Sequence, residues 1–527
     1  MTRRWLMVRG IVFAYGSLVA QIVYSFASIP LALSYLSTAE FGMFGVISTI
    51  SSYLMMSELG LTESFTRHLF DCKDGKDPHR YGRLFAAGLL ALGIVSIFIL
   101  VGGLIAAWFA PPLLNIPNEL RREFLIVMVS QSVLAAITMA TRMIGAPLLL
   151  HHRQDLSQIA QAGLFIIYYV VLHLAFRAHW GIYALIANQV AGLLWFLPFN
   201  ALMCRRLGFF PERATFNMPS REEWSEVWKY SMNTFLIQLG GTVLMGLPQL
   251  LISSLVGLHA AGLWTVCTRV FGVLRQVAFR PFSIAVPMLL EYYVRGDVSL
   301  AVRRWIHVSQ LVVATSGFIF AVAAANNPRF VELWTGVGSE WKAPTMHIFI
   351  AFFFLCFTAA GTPYGVIGFQ KNFGISGFIP ILQALVVGVI AHLIAARTGS
   401  MGIIILSSVG YLFGMTFFGM RHLAKTTGED GSKLFFQAIG RPFLATPIVL
   451  IVALAFAEWM QAIPGYPGLV LSSILASMIG LPLMGYLGVS SEVRGELFLL
   501  ILKPLRRLSR IVHKPDAADR VAESNAD

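Results

Sequence analysis

The sequence predicts an all-α polytopic membrane protein with fourteen transmembrane helices, arranged as two six-helix lobes in a parallel repeat plus a C-terminal helix pair. Three observations lead there. Of 527 residues, 57% are hydrophobic and only 12% are charged, against about 25% charged in soluble domains. Apolar runs long enough to cross a bilayer, about 20 residues each, recur along the chain and leave no room for a large soluble domain. A weak copy of the first half also returns 216–221 residues later. The 46 glycines agree, since glycine is more frequent in membrane helices than in soluble ones.

Taken in order, six spans fall at 10–35, 42–63, 84–110, 123–148, 157–176 and 181–203, giving an N-terminal lobe over 1–203. The first apolar run is too long for a signal-peptide core, and no A-x-A cleavage site follows it, so it reads as a membrane helix. A polar stretch, 204–229, forms a cytoplasmic linker. Six further spans at 230–256, 261–288, 305–326, 344–368, 373–395 and 401–423 make a second lobe over 230–425. Helices 13 and 14 occupy 442–462 and 467–489, within a unit over 442–489. The tail, 490–527, interleaves apolar residues with Lys503, Arg506, Arg507 and Arg510 and suits an amphipathic segment on the anionic inner leaflet.

Orientation follows from Lys and Arg, which concentrate in cytoplasmic loops. With the N-terminus inside, the inner segments hold 29 of them and the outer loops 6. Both termini are therefore expected in the cytoplasm. The same bias accounts for the net charge of +13 without nucleic acid, because the basic residues are scattered singly between apolar runs. Tryptophans favour membrane interfaces; ten of the eleven fall at predicted helix ends and only Trp195 lies inside a span. The four cysteines lack CxxC or CxxH spacing. No metal site and no cofactor are expected, and nothing demands an oligomer.

The internal copy rests on three alignments. Ser34 to Phe44 matches Ser254 to Trp264, pairing Gly42 with Gly262. Gly145-Ala146-Pro147 matches Gly361-Thr362-Pro363, with Gln154 meeting Gln370 seven residues on. Trp180-Gly181-Ile182 matches Met401-Gly402-Ile403. Each falls at equivalent helix ends, and a displacement of six helices leaves both copies facing the same way. Repeats of this kind mark secondary transporters, with the substrate path between halves.

Several of these segments carry a family resemblance: Tyr35-Leu36-Ser37-Thr38-Ala39-Glu40-Phe41-Gly42, Glu58-Leu59-Gly60-Leu61, Val256 to Trp264, Pro287, and Leu333-Trp334-Thr335-Gly336. Over about residues 10–425 the chain resembles bacterial polysaccharide-transport proteins that flip lipid-linked oligosaccharides. Their superfamily also holds multidrug and toxin extrusion antiporters and lipid II flippases. The resemblance implies two six-helix lobes around a central cavity, alternating access, a bacterial inner membrane, and a substrate made of polyprenyl diphosphate carrying a sugar repeat unit. It also implies polysaccharide assembly proteins as partners, besides membrane lipids. Where many relatives carry an Asp in helix 7, this chain reads Gly246-Leu247-Pro248-Gln249.

A diphosphate head group crossing a membrane calls for a cation inside it. Arginine suits phosphate by bidentate contact, and an intramembrane ionisable residue is a functional candidate. Four arginines lie within spans: Arg142, Arg269, Arg275 and Arg280. At about 1.5 Å per residue, Arg269 lies about 12–15 Å from the outer end of its helix, near the midplane. At 100° per residue, Arg269, Gly272, Gln276 and Arg280 share a face and Arg275 points elsewhere. Arg142 and Arg280 sit near inner helix ends, where snorkelling to lipid phosphates explains them as well. Snorkelling competes equally for Arg275, whereas Arg269 is too deep for it and its competing reading is an ion pair with a buried glutamate. Glu58 is the leading acidic candidate, as a coupling site or an ion-pair partner. His173 and His392 read as packing positions. Asn188, Gln189, Asn233, Gln238, Gln249 and Gln310 suit either sugar hydroxyls or interhelical bonds.

The expected function is a lipid-linked oligosaccharide flippase in surface polysaccharide export. A lipid II flippase and a cation-coupled multidrug antiporter are the alternatives; the antiporter would favour carboxylates over arginines in the lobes. An enzyme is disfavoured because the longest outer loop, Asn327 to Ala343, shows no catalytic constellation.

Overall fold

The computed structural model describes residues 3–72, 77–151, 153–212, 220–336, 344–367 and 378–496. Among them every regular element is helical. The first half runs α1 (Arg3–Leu33), α2 (Thr38–Met55), α3 (Leu61–Cys72), α4 (Pro78–Leu113), α5 (Arg121–Ala140), α6 (Ala146–Leu150), α7 (Gln154–Arg177) and α8 (Tyr183–Arg206). The second runs α9 (Arg221–Leu255), α10 (Leu258–Val294), α11 (Val298–Thr335), α12 (Pro344–Ile367), α13 (Ile379–Gly410) and α14 (Phe418–Thr427). It closes with α15 (Gly431–Phe435), α16 (Arg441–Trp459) and α17 (Gly465–Leu487).

Among the described residues, ten helices are long and apolar enough to cross a membrane, against fourteen spans expected over the whole chain. The spans placed at 373–395 and 401–423 fall in one stretch, 379–425, which is two helices meeting at a kink. It breaks at Gly399, whose φ of 57° and ψ of −149° belong to a region essentially reserved for glycine. The helix over 258–294 carries Arg269, Arg275 and Arg280, which dilute its apolarity. So do the serines and threonines of α2; in α9 the side chains of residues 229–240 lie outside the described residues, so only Gly241–Leu255 counts there. Helix α11 continues through Thr335, so the outer loop expected from Asn327 begins later. Residues 213–219 of the linker, 337–343 of that loop, Gln370 of the repeat and 497–527 of the tail lie outside the described residues.

The lipid-facing surface is legible in what remains uncovered. Ile97, Phe98 and Phe109 on α4 and Leu382, Leu385 and Leu393 on α13 are all exposed. Soluble monomers seldom show contiguous apolar area of this extent; a bilayer covers it. Inside, Phe271, Phe320, Phe353 and Phe354 interlock as an aromatic core. Trp195, the one tryptophan expected within a span, donates its indole N–H to Ala160 O at 2.9 Å. Trp264 and Trp305, placed by sequence at helix ends, are buried in the protein and do not anchor an interface.

Helices α1, α7 and α8 pack together, as do α2, α4 and α5, and α5 meets α8. Among the later helices α9 meets α13, while α10, α11 and α12 form a cluster that α16 and α17 join through α11. The broadest contact between these two sets is α2 against α10. Ser37 starts α2 through a capping box: Glu40 N–H donates to Ser37 Oγ at 3.2 Å, and Ser37 N–H donates to Glu40 Oε2 at 2.8 Å. One turn on, a Cβ on Gly42 would strike Leu258 O, and a Cβ on Gly262 would strike Thr38 O. The two backbones touch reciprocally, through the glycines that the internal copy pairs. Small residues allow this approach in lipid, where no hydrophobic drive brings helices together.

Candidate functional site

Beyond that crossing the helices diverge and leave a cavity of about 580 Å³ lined chiefly by α1, α2, α9 and α10. Its polar wall comes from helical spacing. On α1, Gln21, Ser25 and Ser28 recur at i, i+4 and i+7; on α2, Ser48 and Ser52 stand one turn apart, as do Thr49 and Tyr53. Tyr53 donates to Val243 O at 2.7 Å, tying α2 to α9, and Gly246 leaves room for its ring. Gln249 is held at the far wall, accepting from Thr265 Oγ1 at 3.1 Å.

Helix α10 places Arg269, Arg275 and Gln276 on this cavity. Arg269 Nη2 donates to Ser25 Oγ at 2.7 Å, crossing from α10 to α1. The Arg275 guanidinium lies 3.8 Å from the centroid of Phe357 and 5.4 Å from that of Phe279. Such cation–π contacts contribute about 0.5–2 kcal/mol while leaving N–H donors uncommitted. Both Nε atoms are buried without a hydrogen-bond partner. Among the described residues neither arginine has an ion pair, and no carboxylate lines the cavity. It is basic, and its cations are available.

The sequence expectation that Arg275 points away from Arg269 does not match the placement. The cavity wall wraps beyond a single helical face, and Phe279 and Phe357 turn the long side chain into it. Arg280 is exposed and lies off the cavity lining. Arg142 also lies elsewhere: its Nη1 donates to Glu58 Oε2, and Glu58 further accepts from Thr62 N–H at 3.2 Å. Glu58 is buried where the chain turns at Leu59 (φ 57°) and Gly60 (φ 71°). The pair therefore braces the break between α2 and α3, away from Arg269 and Arg275.

The amides divide similarly. Gln249 lines this cavity and Asn188 and Gln189 line a second one. Gln310 instead bonds Gln437 O at 2.9 Å and accepts from Ser490 N–H at 3.0 Å. The side chains of Asn233 and Gln238 lie outside the described residues. Sequence reasoning missed Tyr24, Ser25 and Tyr53; their signal was a polar stripe of helical period within apolar spans.

The chain is thus a helical membrane protein with an internal basic cavity at the junction of two helix sets. Solved structures agree. An inward-facing multidrug resistance MATE family transporter of the MOP superfamily superposes with a TM-score of 0.59 at 14% identity, over 78% of this chain and 98% of that one. The lipid II flippase MurJ in an inward closed conformation gives 0.57 at 12%, over 90% and 99%. A MOP superfamily transporter from Pyrococcus furiosus gives 0.56 at 15%, over 80% and 95%. At these identities the likeness is one of fold. Residues 8–293 match the family described as polysaccharide biosynthesis protein, and the chain belongs to that family. It is also 20% identical over 471 residues to the uncharacterized membrane protein EpsK of Bacillus subtilis, covering 85% of this chain and 88% of that protein.

Proposed function

We propose that this protein is a flippase that moves a polyprenyl-diphosphate-linked oligosaccharide across the bacterial inner membrane for surface polysaccharide export. The observation that carries the reading is a cavity bearing Arg269 and Arg275 with no carboxylate among its described lining residues. Ionised arginine inside a membrane is costly, and a diphosphate offers it charge-assisted, bidentate partners. A cation-coupled antiporter would need acidic groups in the same place.

In this reading the chain crosses the bilayer fourteen times, with 258–294, 38–55 and 221–255 as spans and the run broken at Gly399 counted as two. Residues 1–203 and 230–425 are the two lobes, and 204–229 is the cytoplasmic linker. Helices 13 and 14 lie within 442–489, and the tail 490–527 rests on the inner leaflet. The 29-to-6 bias of Lys and Arg puts both termini in the cytoplasm. The reciprocal contact of Gly42 with Gly262 supports a repeat axis along the membrane normal, and in this orientation it closes the cavity on the outer side. Lipid-linked oligosaccharide enters from the cytoplasm, its diphosphate meets Arg269 and Arg275 beside Gln276, and separation of α2 from α10 releases it outside. Polysaccharide assembly proteins would supply and consume the substrate.

The test is complementation of a deletion strain at matched membrane levels. Wild type restores surface polymer, whereas Arg269→Ala leaves lipid-linked saccharide on the cytoplasmic face and Arg269→Lys retains part of the activity. Normal export by Arg269→Ala would remove the site. A deletion that alters only drug tolerance favours an antiporter, and one that halts cell-wall synthesis favours lipid II.

A further inference from the structure

The second cavity, about 710 Å³, lies wholly among helices of the first half and has a different chemistry. Among the described residues no charged side chain lines it. Its polar groups are hydroxyls and amides, including Ser51, Gln131, Thr138 and Asn188, set among the rings of Tyr24, Phe44, Tyr168 and Phe196. Three of the polar atoms are buried with no hydrogen-bond partner: Ser51 Oγ, Gln131 Oε1 and Asn188 Oδ1. Asn188 is only 4% exposed. Buried polar groups are nearly always satisfied in proteins, so three orphans on residues that line one cavity mark a place where a polar occupant, with small side-chain rotations, completes them.

This cavity adjoins the basic one. Tyr24, Phe44, Ser48, Ser52 and Leu185 line both. Tyr24 stands at the seam: its hydroxyl accepts from Asn188 Nδ2 at 2.8 Å on one side. On the other, the next residue, Ser25, accepts from Arg269. Gly192 shapes the wall, because a Cβ there would lie 2.7 Å from Tyr168 Cζ and Oη.

We propose that the second cavity is the saccharide subsite and takes the uncharged sugar attached directly to the diphosphate held at Arg269 and Arg275. Neutral hydroxyl-rich ligands need acceptors and donors without net charge, and aromatic faces cover the apolar C–H faces of a pyranose ring. A polyprenyl tail would leave Ser51, Gln131 and Asn188 unsatisfied, and an acidic sugar would find no cation. The volume lies within the roughly 300–1,000 Å³ of small-molecule sites. This inference rests on the flippase reading and adds to it a division of labour: the arginines bind the lipid diphosphate whatever the sugar, and the neutral cavity selects the sugar.

The test uses the purified full-length chain in lipid nanodiscs and two probes. One is polyprenyl diphosphate without sugar; the other is the same lipid carrying the saccharide that accumulates when the gene is deleted. Wild type binds the glycosylated lipid about tenfold more tightly, the equivalent of one or two satisfied buried hydrogen bonds. Gln131→Leu combined with Ser51→Ala removes that preference and leaves affinity for the bare lipid unchanged. Gly192→Ala, which drives Tyr168 into the cavity, does the same and guards against a folding defect particular to the first variant. The double variant Arg269→Ala, Arg275→Ala weakens both probes equally. Preference retained in both cavity variants, or no preference in wild type, overturns the subsite and leaves water as its occupant. Failure of the double variant Arg269→Ala, Arg275→Ala to weaken either probe overturns instead the reading on which the subsite rests.

Discussion

Alanine at position 262 places a methyl group where the structure has none to spare. Its Cβ would lie 2.8 Å from Thr38 Cγ2 and 3.1 Å from Thr38 C, besides striking Thr38 O. Carbon atoms in contact prefer about 3.5–4.0 Å, so α2 and α10 must part by about 0.5–1 Å at this crossing. Two of the obstructing atoms are backbone and cannot rotate away. Inserting a methyl group into packing this tight costs about 1–3 kcal/mol. That cost falls only on the conformation in which the helices touch. A conformation with α2 and α10 separated is unaffected, so the ratio of the two shifts by about 5- to 150-fold. The reciprocal change, Gly42→Ala, brings Cβ within 2.7 Å of Gly262 N and acts in the same direction. Spin labels at the exposed positions Tyr35 and Val256 report the separation by pulsed dipolar spectroscopy in nanodiscs. The four native cysteines are buried and do not compete for label. The expected result is a longer-distance population that is minor in wild type and dominant in both variants. An unchanged distance distribution in correctly folded Gly262→Ala refutes the idea that this contact opens.

Two further expectations concern the described ion pairs. Arg142→Ala destabilises more than Glu58→Gln, because Glu58 is the buried member and Arg142 is 45% exposed at the side chain. The loss is about 1–2 kcal/mol, below the 3–5 of a fully buried pair because water screens the arginine; thermal unfolding of the purified variants in detergent ranks them. At the end of the last described segment, burial opposes ionisation of Glu496. Its bond to Arg304 at 2.9 Å and the adjacent charges of Arg304 and His307 outweigh that and hold the carboxyl below its ordinary value. A depressed carboxylate adds stability that is present above the unfolded value, about 4.3, and is lost as pH falls through the folded one. Hydrogen exchange of residues 491–496 should therefore stay flat from pH 7 to 5 after correction for intrinsic rate and accelerate below about 4. Glu496→Gln should show the faster exchange throughout.

Much of the fold was written in composition. A chain so poor in charge, with basic residues confined to the gaps between apolar runs, has few alternatives to a helical bundle in lipid. The number of crossings was harder to read, because the helices that line the cavity are the ones diluted by polar residues. The arginines of α10 and the serines of α2 weaken the hydropathy that makes a span recognisable, and Gly399 divides the helical stretch over 379–425. The short motifs behind the family resemblance turn out to be structural in part. Ser37 and Glu40 form a capping box, Gly42 and Gly262 allow backbone contact, and Glu58 to Gly60 build a turn with positive φ. Pairing across 84 residues, as between Glu58 and Arg142, leaves no periodic trace in one sequence. Neither does the aromatic pair that holds Arg275 at the cavity.

The four intramembrane arginines separate by what holds them, and the separation bears on mechanism. Arg142 is neutralised by Glu58, and a phosphate would have to displace a carboxylate of equal appetite to reach it. Arg280 is exposed and off the cavity lining, where a lipid head group can satisfy it. Arg269 and Arg275 are held by a serine hydroxyl and an aromatic ring, partners that position a guanidinium without cancelling its charge. A carrier needs that arrangement. A cation paired to a carboxylate binds diphosphate too weakly, and a dense cluster of cations binds it too well to release. Two arginines about nine ångströms apart along one helix axis, six residues at 1.5 Å each, can engage one diphosphate or pass it from one to the other. If passage is the mode, Arg275→Ala and Arg269→Ala differ in kind. Both lower transport about 10- to 100-fold, the range expected for a lost charge-assisted hydrogen bond of about 1.5–3 kcal/mol, but the variant lacking the entry residue loses substrate affinity while the other keeps it and loses turnover. Binding and transport of polyprenyl diphosphate saccharide, measured side by side in proteoliposomes, separate the cases. Equal losses of affinity in both variants would instead make the two arginines a single clamp.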